Sequence, residues 1–344
     1  MGPAPAVAAV RTAVRATLCA RDDRARDDRP VLVACSGGAD SLALAAATAF
    51  VVPRLGRRAG LVTIDHGLQP GSAERAARVA SIGAELGLDP VTTIRVEVGR
   101  RGGPEAAART ARYDALGATA TAEDAVILLA HTLDDQAETV LLGLGRGSGP
   151  RSVVGMPAVD GCYIRPLLEV RRATTVAACE AEGLAYWDDP HNTDPSYQRT
   201  RLRHEVLPLL EDVLQDGVAE ALARTADLLR DDLAALDALA AATLPSLMIS
   251  VVPDKSARYG RDHERVDAVR LGELPRAVRT RVLRLWVARL GAGPLSSERT
   301  AAVDDLVTNW HGQGAVQLPG GVSVVRASGT LNAVPRPAPE ENRV

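Results

Sequence analysis

The sequence predicts an α/β chain with a doubly wound parallel sheet, followed by a smaller, mainly helical C-terminal domain. Three observations predict it. Short apolar runs at VLVAC (31–35), within GLVTIDHGL (60–68), at TTIRVEV (92–98) and at AVILLA (125–130) alternate with helix-like stretches at 42–52, 73–86 and 104–120. The first run empties into a glycine turn and then an apolar helix pattern, Leu42 to Ala47. From about Asp212 the texture changes to long stretches rich in Ala, Leu, Asp and Arg.

The elements follow in order. A helix is expected over 6–20, then the charged link RDDRARDDRP, giving an N-terminal segment of 1–27. The main domain spans 28–215. After its first strand stands Ser36-Gly37-Gly38-Ala39-Asp40-Ser41, where glycines admit a ligand close to the backbone and turn N–H groups meet a helix N-terminus. Ser36 and Ser41 can bond phosphate oxygens, and Asp40 can hold a Mg²⁺ that bridges them. The lysine-bearing P-loop is excluded, because Lys255 is the only lysine in the chain, and no G-x-G-x-x-G follows the strand. An ordinary glycine-rich turn with a serine cap is the plainer account.

The second strand ends in Asp65-His66-Gly67-Leu68, where Asp65 suits a ribose and His66 a base or phosphate; a polar turn serves equally. Arg109 and Arg112 lie three apart on one helical face and can meet an anion together, or simply face solvent. After the fourth strand come His131-Thr132-Leu133-Asp134-Asp135-Gln136, then a helix. Thr132 with Asp135 resembles a capping box, but capping needs neither His131 nor the second carboxylate. In parallel sheets ligands bind beyond the carboxyl ends of the strands, so the three polar clusters read as one site.

A glycine-rich loop (145–150), RPLLEVRR and a helix at 174–182 follow. The turn-dense 188–195 then leads into a basic run, with Tyr197, Arg199, Arg201, Arg203 and His204 opening a helix towards Leu210. Arginine forks suit RNA phosphates, and ion pairs with Asp188, Asp189 and Asp194 are the alternative. The second domain spans 216–334 and ends in a two-strand hairpin, VQLPGGVSVVRASGTLNAV; a disordered tail is expected over 335–344. Residues 256–290 hold nine arginines against four acidic residues, a plausible RNA-docking face.

Composition excludes several classes. A net charge of −3 rules out a general polyanion binder, so any nucleic-acid surface must be local. Cys19, Cys35, Cys162 and Cys179 form no C-x-x-C pair, which speaks against a zinc site or a disulfide framework and suits a reducing cytoplasm. No signal-peptide core or membrane span is found, so no membrane partner is expected.

Read together, the segments resemble the tRNA(Ile)-lysidine synthetase family of the PP-loop ATP pyrophosphatases. SGGADS, DHGL, EAAARTARYDAL (105–116), AHTLDDQAETVLLGLGRGSG (130–149), IRPLLEVRR (164–172) and WDDPHNTDPSYQRTRLRHEVLPLL (187–210) carry the resemblance. It departs at Thr132, where relatives carry histidine, at Thr200 (asparagine) and at Gln69 (arginine). The resemblance implies an adenine nucleotide alpha hydrolase-like fold, and one C-terminal domain where longer relatives carry another. It implies ATP and Mg²⁺ as cofactors, and tRNA(Ile) with a CAU anticodon and free L-lysine as partners. A cytoplasmic enzyme is expected, with a homodimer as its assembly.

The implied chemistry has two steps. The C2 oxygen of the wobble cytidine attacks the α-phosphorus of ATP, and the lysine ε-amine then expels AMP. Ser36 to Ser41 would hold phosphates, with Asp65 and His66 beside the nucleotide and Mg²⁺ on Asp40. Asp134 and Asp135 would hold the amine, His131 would accept a proton or contact phosphate, and Arg112 would face the α-phosphate. Arg199, Arg201, Arg203 and His204 would bind tRNA. Alternatives are a PP-loop tRNA thiolase, a non-catalytic nucleotide- or RNA-binding relative, and an amidotransferase-type ligase.

Overall fold

A computed structural model describes residues 2–22, 28–99, 103–147, 149–189, 194–249 and 264–335. The middle of the 21–30 link, His191 to Thr193 of the turn-dense segment, the start of the 256–290 stretch and the 336–344 tail lie outside the described residues. The chain divides into two compact units, Met1–Leu229 and Arg230–Val344.

The first unit opens with α1 (Pro5–Asp22), whose Val7, Val10, Val14 and Leu18 recur at helical spacing and are all buried. Then come β1 (Val31–Ala34), α2 (Ala39–Val51), β2 (Ala59–Asp65), α3 (Ser72–Glu85), β3 (Val91–Arg95), α4 (Pro104–Ala122), β4 (Val126–Leu128) and α5 (Leu133–Arg146). The four expected strands are present and parallel.

Two further strands of two residues each complete the sheet. They are β5 (Val159–Asp160) and β6 (Tyr163–Ile164), followed by α6 (Arg172–Ala181). The order is β3-β2-β1-β4-β6-β5, with β5 the one antiparallel member. Strands this short show no period of their own; β6 is placed by pairing Tyr163 and Ile164 with Ile127 and Leu128.

The strands alternate between two cores. Val31, Val33, Leu61 and Leu128 pack towards α1, α2, α3 and α6, while Leu32, Val62 and Ile127 pack towards α4. Burial on both faces is why β1 and β4 read as unbroken apolar runs. The chain leaves β1 one way to β2 and β3 and returns to its other side at β4. The crevice of such a sheet lies at that reversal, beyond the ends of β1 and β4.

The basic run forms α7 (Gln198–Arg201), a π-helical turn over Leu202–Val206, and α8 (Leu207–Leu214). A 30-residue helix, α9 (Val218–Leu247), begins where Glu211 accepts from the backbone N–H of Gly217 at 2.6 Å.

The second unit holds more strand than the sequence suggested. Besides α10 (Ala268–Gly272), α11 (Arg276–Arg289) and α12 (Ser297–Thr308), it has a five-stranded antiparallel sheet. β7 (Met248–Ile249), β8 (Arg265–Asp267) and β9 (Val316–Gln317) flank the expected hairpin of β10 (Val322–Ala327) and β11 (Thr330–Pro335). Trp286, Val282, Leu306, Val324 and Leu331 form its core. Among the described residues no helix is long and apolar enough to cross a membrane.

Candidate active site

The loop after β1 is fixed by its own hydroxyls. Ser41 Oγ donates to Gly38 O at 2.9 Å and accepts from the Ser36 N–H at 3.2 Å. Gly37 has φ +89°, and a Cβ there would stand 2.8 Å from Val79 Cγ2, so the position demands glycine. The Trp187 N–H donates to Gly37 O at 2.9 Å. Ser41 therefore holds the loop's shape, while the exposed Ser36 and the N-terminal turn of α2 face the cavity.

That cavity has a volume of about 750 Å³ and lies at the carboxyl ends of β1, β2 and β4. Ser36, Gly38, Ala39, Asp40, Ser41, Asp65, His66, Arg112, His131, Asp135, Arg203 and His204 all line it. Five segments far apart in sequence thus line one cavity. Gly37, Asp134, Arg199 and Arg201 do not line it.

Arg172 is the residue that sequence reasoning missed. It lies in RPLLEVRR, and α6 begins two residues earlier than expected, at Arg172 itself. Its backbone N–H donates to Asp134 Oδ2 at 2.7 Å. Its side chain donates from Nε to Asp40 Oδ2 at 3.0 Å and from Nη2 to Asp135 Oδ1 at 2.8 Å. Thr175 Oγ1 also donates to Asp40 Oδ1. Burial raises the Asp40 carboxyl, against the pull of Arg172 and the Thr175 hydrogen bond.

Asp135 caps α5 and also lines the cavity. Its Oδ2 accepts from the Thr132 N–H at 2.8 Å, closing a capping box, while Oδ1 faces Arg172 and Arg203. Burial alone would raise this carboxyl, but Arg172, the Thr132 N–H and Arg203 hold it below its ordinary value. Asp134 is turned away. It accepts from the Arg172 N–H and stands 3.6 Å from Arg171 Nη1, and it does not line the cavity.

Glu138, the second missed residue, follows Asp135 by one helical turn and is completely buried. Its Oε1 accepts from Arg203 Nε at 2.7 Å, while Oε2 has no hydrogen-bond partner. Burial raises its carboxyl above the ordinary range. The LDDQAET run held the signal, since i and i+3 share a helical face. Arg203 pairs with Glu138 and Asp135. Arg201 is bound to Glu205 at 2.9 Å; the half-buried Arg199 does not line the cavity, but its charge helps to lower Arg112, which does.

His131 lines the cavity as a largely buried group. Burial, assisted by Arg165, Arg112 and Arg109 against Asp135, pushes it down to about 3, so its imidazole is neutral and a feeble proton acceptor. Its Nδ1 is buried without a partner, as is that of His66, which burial and then Arg112 also keep neutral. Asp65 accepts from the Gly67 N–H at 2.9 Å, and hydrogen bonds from Ser72 and Gly67 hold it below its ordinary range, as in a polar turn. Arg112 has no ion-pair partner among the described residues, leaving its charge for an anion in the cavity.

No three His, Cys, Asp or Glu side chains among the described residues converge to hold a metal. A Mg²⁺ fits here only as that ion is usually held near nucleotides, by Asp40 together with phosphate oxygens.

Three of the nine arginines of the basic stretch are ion-paired within the second unit. Arg279 is buried against Asp304 at 2.6 Å, Arg281 pairs with Asp237 at 2.9 Å, and Arg289 with Glu264 at 2.8 Å.

Comparison with known proteins agrees with this geometry. Residues 10–210 match the PP-loop domain family, and residues 267–331 match the TilS substrate binding domain. The tRNA(Ile)-lysidine synthase of Thermobifida fusca is 55% identical over 93% of this chain and 94% of its own. That of Streptomyces coelicolor is 51% identical over 96% and 99%. A solved U34-tRNA thiolase from Methanococcus maripaludis, which carries a [4Fe-4S] cluster, superposes with a TM-score of 0.55. It covers 65% of this chain and 80% of its own at 18% identity, a likeness of fold alone. With both domains matched in order and relatives this similar along their whole length, the chain belongs to the tRNA(Ile)-lysidine synthase family.

Proposed function

We propose that this chain joins free L-lysine to C2 of the wobble cytidine of tRNA(Ile) with a CAU anticodon, consuming ATP and releasing pyrophosphate and AMP. One observation carries the reading. Asp40 beside the phosphate loop and Asp135 on α5 line one cavity and share the Arg172 guanidinium, with Glu138 buried behind it, an arrangement that supports nucleotide and amine chemistry in a single site.

In the first step the cytidine C2 oxygen bonds to the α-phosphorus and the bond to pyrophosphate breaks. Ser36, the Gly38 turn and the N-terminus of α2 receive the phosphates, and Arg112 offsets charge developing at the α-phosphoryl group. A Mg²⁺ bound at Asp40 would supply charge neutralisation for the leaving pyrophosphate. In the second step the lysine amine bonds to C2 and AMP departs. Lysine arrives as an ammonium, which Asp135 and Glu138 attract. Glu138 is the stronger base of the two, because burial raises its carboxyl while Asp135 is held low, and it takes the amine proton. The neutral His131 serves as a hydrogen-bonding group. An anticodon loop presents the target base already unpaired.

We place the enzyme in the cytoplasm beside its tRNA and ATP, as a homodimer, the commonest symmetric assembly; sedimentation tests the latter. Incubation with ATP, Mg²⁺, labelled lysine and unmodified tRNA(Ile) tests the reaction. Label should enter this tRNA and not initiator tRNA(Met), which shares the anticodon. Asp40→Ala should abolish pyrophosphate release, and Glu138→Gln should retain it while losing label transfer. Pyrophosphate without lysine transfer by the wild type would refute the acceptor assignment.

A further inference from the structure

Three carboxylates share one guanidinium. Arg172 bonds Asp40 through Nε and Asp135 through Nη2, and its Nη1 stands 3.9 Å from Glu138 Oε1. Two atoms of opposite polarity in this knot, Arg172 Nη1 and Glu138 Oε2, are buried without hydrogen-bond partners. Buried polar groups are rarely left so, and each such case calls for an explanation. Glu138 does not line the cavity, whereas Arg172 and Arg203 do. The acceptor best placed for an ammonium is thus behind arginine.

We propose that Arg172 is a placeholder cation: its guanidinium covers Asp135 and Glu138 until the polyphosphate of ATP draws it away, and only then does a primary ammonium occupy that pair. The inference rests on the reading that Asp135 and Glu138 receive the lysine amine.

The local bonding makes the exchange possible. Asp40 is in the first turn of α2, directly after the phosphate loop, so polyphosphate arrives on the side where Arg172 Nε is bound. A guanidinium fork pairs with phosphate oxygens as readily as with carboxylates. The Arg172 backbone is fixed to Asp134 through its N–H, so its side chain alone swings. When it leaves, Thr175 still donates to Asp40, the Thr132 N–H still donates to Asp135 Oδ2, and Arg203 still holds Glu138 Oε1. Asp135 Oδ1, then facing only Arg203 at 3.5 Å, and Glu138 Oε2 can receive an incoming ammonium. Nucleotide-first binding follows, and lysine does not fill the site ahead of ATP.

The test is equilibrium titration of L-lysine into the full chain without tRNA. It is run with and without Mg²⁺ and an ATP analogue whose α,β bond cannot be cleaved. The wild type should bind lysine at least about tenfold more tightly with the analogue, within the usual range of coupling between two sites. Arg172→Gln should bind lysine without nucleotide and respond to the analogue by no more than about twofold, because the differential contact is gone. Should that variant not fold, Arg172→Lys, which keeps the charge but loses the fork, should show a clearly weaker dependence than the wild type. Thr175→Val, which touches Asp40 but not the amine side, should keep the dependence. Equal lysine affinity with and without analogue in the wild type overturns the placeholder and spares the amine site. A wild-type dependence in the Arg172 variant also overturns it. Lysine binding unchanged by both Asp135→Asn and Glu138→Gln sinks the amine-site reading and the placeholder together.

Discussion

Arg203 Nε donates to Glu138 Oε1 at 2.7 Å, and that carboxylate has no exposed surface. A buried charge with one principal partner depends on it. Arg203→Ala should lower unfolding stability by about 3–5 kcal/mol, the cost of stranding a buried charge. Glu138→Gln in that background should recover part of the loss, and urea titration of the three proteins reads both effects. A loss of tRNA affinity with unchanged stability would return Arg203 to the RNA surface.

Gly37 combines φ +89° with a Cβ position 2.8 Å from Val79 Cγ2. Gly37→Ala should displace the phosphate loop, with backbone strain of about 1–3 kcal/mol. The clearest readout is ATP affinity, which should weaken. Trimming the neighbour in Val79→Ala/Gly37→Ala should relieve the clash but not the strain in φ, so recovery should be partial.

His131 is pushed down to about 3 in the folded protein, from 6.5. The unfolded chain therefore binds a proton that the folded chain refuses at any pH between those values. Stability from this group is full above 6.5 and falls with acidification towards 3, at up to about 1.4 kcal/mol per pH unit. Melting temperatures of the wild type and His131→Gln across pH 4 to 7 should converge towards acid. Parallel curves would show that His131 titrates normally.

Arg279 and Asp304 form a buried two-bond pair, at 2.6 and 3.2 Å, in the second unit. Asp304→Ala should cost about 3–5 kcal/mol by leaving the arginine unpaired. Pyrophosphate release by folded protein should be unaffected at low temperature. Differential scanning calorimetry with an activity assay separates the two; lost tRNA binding without lost stability would restore this stretch as an RNA contact.

Much of the site was legible because its residues follow strands. The glycine loop, Asp65, His66, His131 and Asp135 each stand just beyond a run whose apolar continuity marks a two-sided buried strand, and parallel topology sends those ends to one edge. Glu138 was legible in principle, at i+3 from Asp135. The fates of Asp134, Arg203 and His131 were not, since each depends on a partner far away in sequence.

Local pattern by itself determined the alternating strands and helices, the glycine-dependent loop, the edge of the sheet that carries the site, and the family. Those features are set by periodicity, by backbone freedom at glycine and by the handedness of crossovers, all properties of short segments. Tertiary structure alone decided which carboxylate faces the cavity and which anchors a helix. It set which arginines are internal counter-ions and recruited strands too short to announce themselves. Asp134 and Asp135 are neighbours of identical chemistry; Arg172, 37 residues beyond Asp135 in sequence, gives one its backbone and the other its guanidinium. That division exists only once α5 and α6 are packed together, because burial and long-range pairing, not residue type, fix what a charge does.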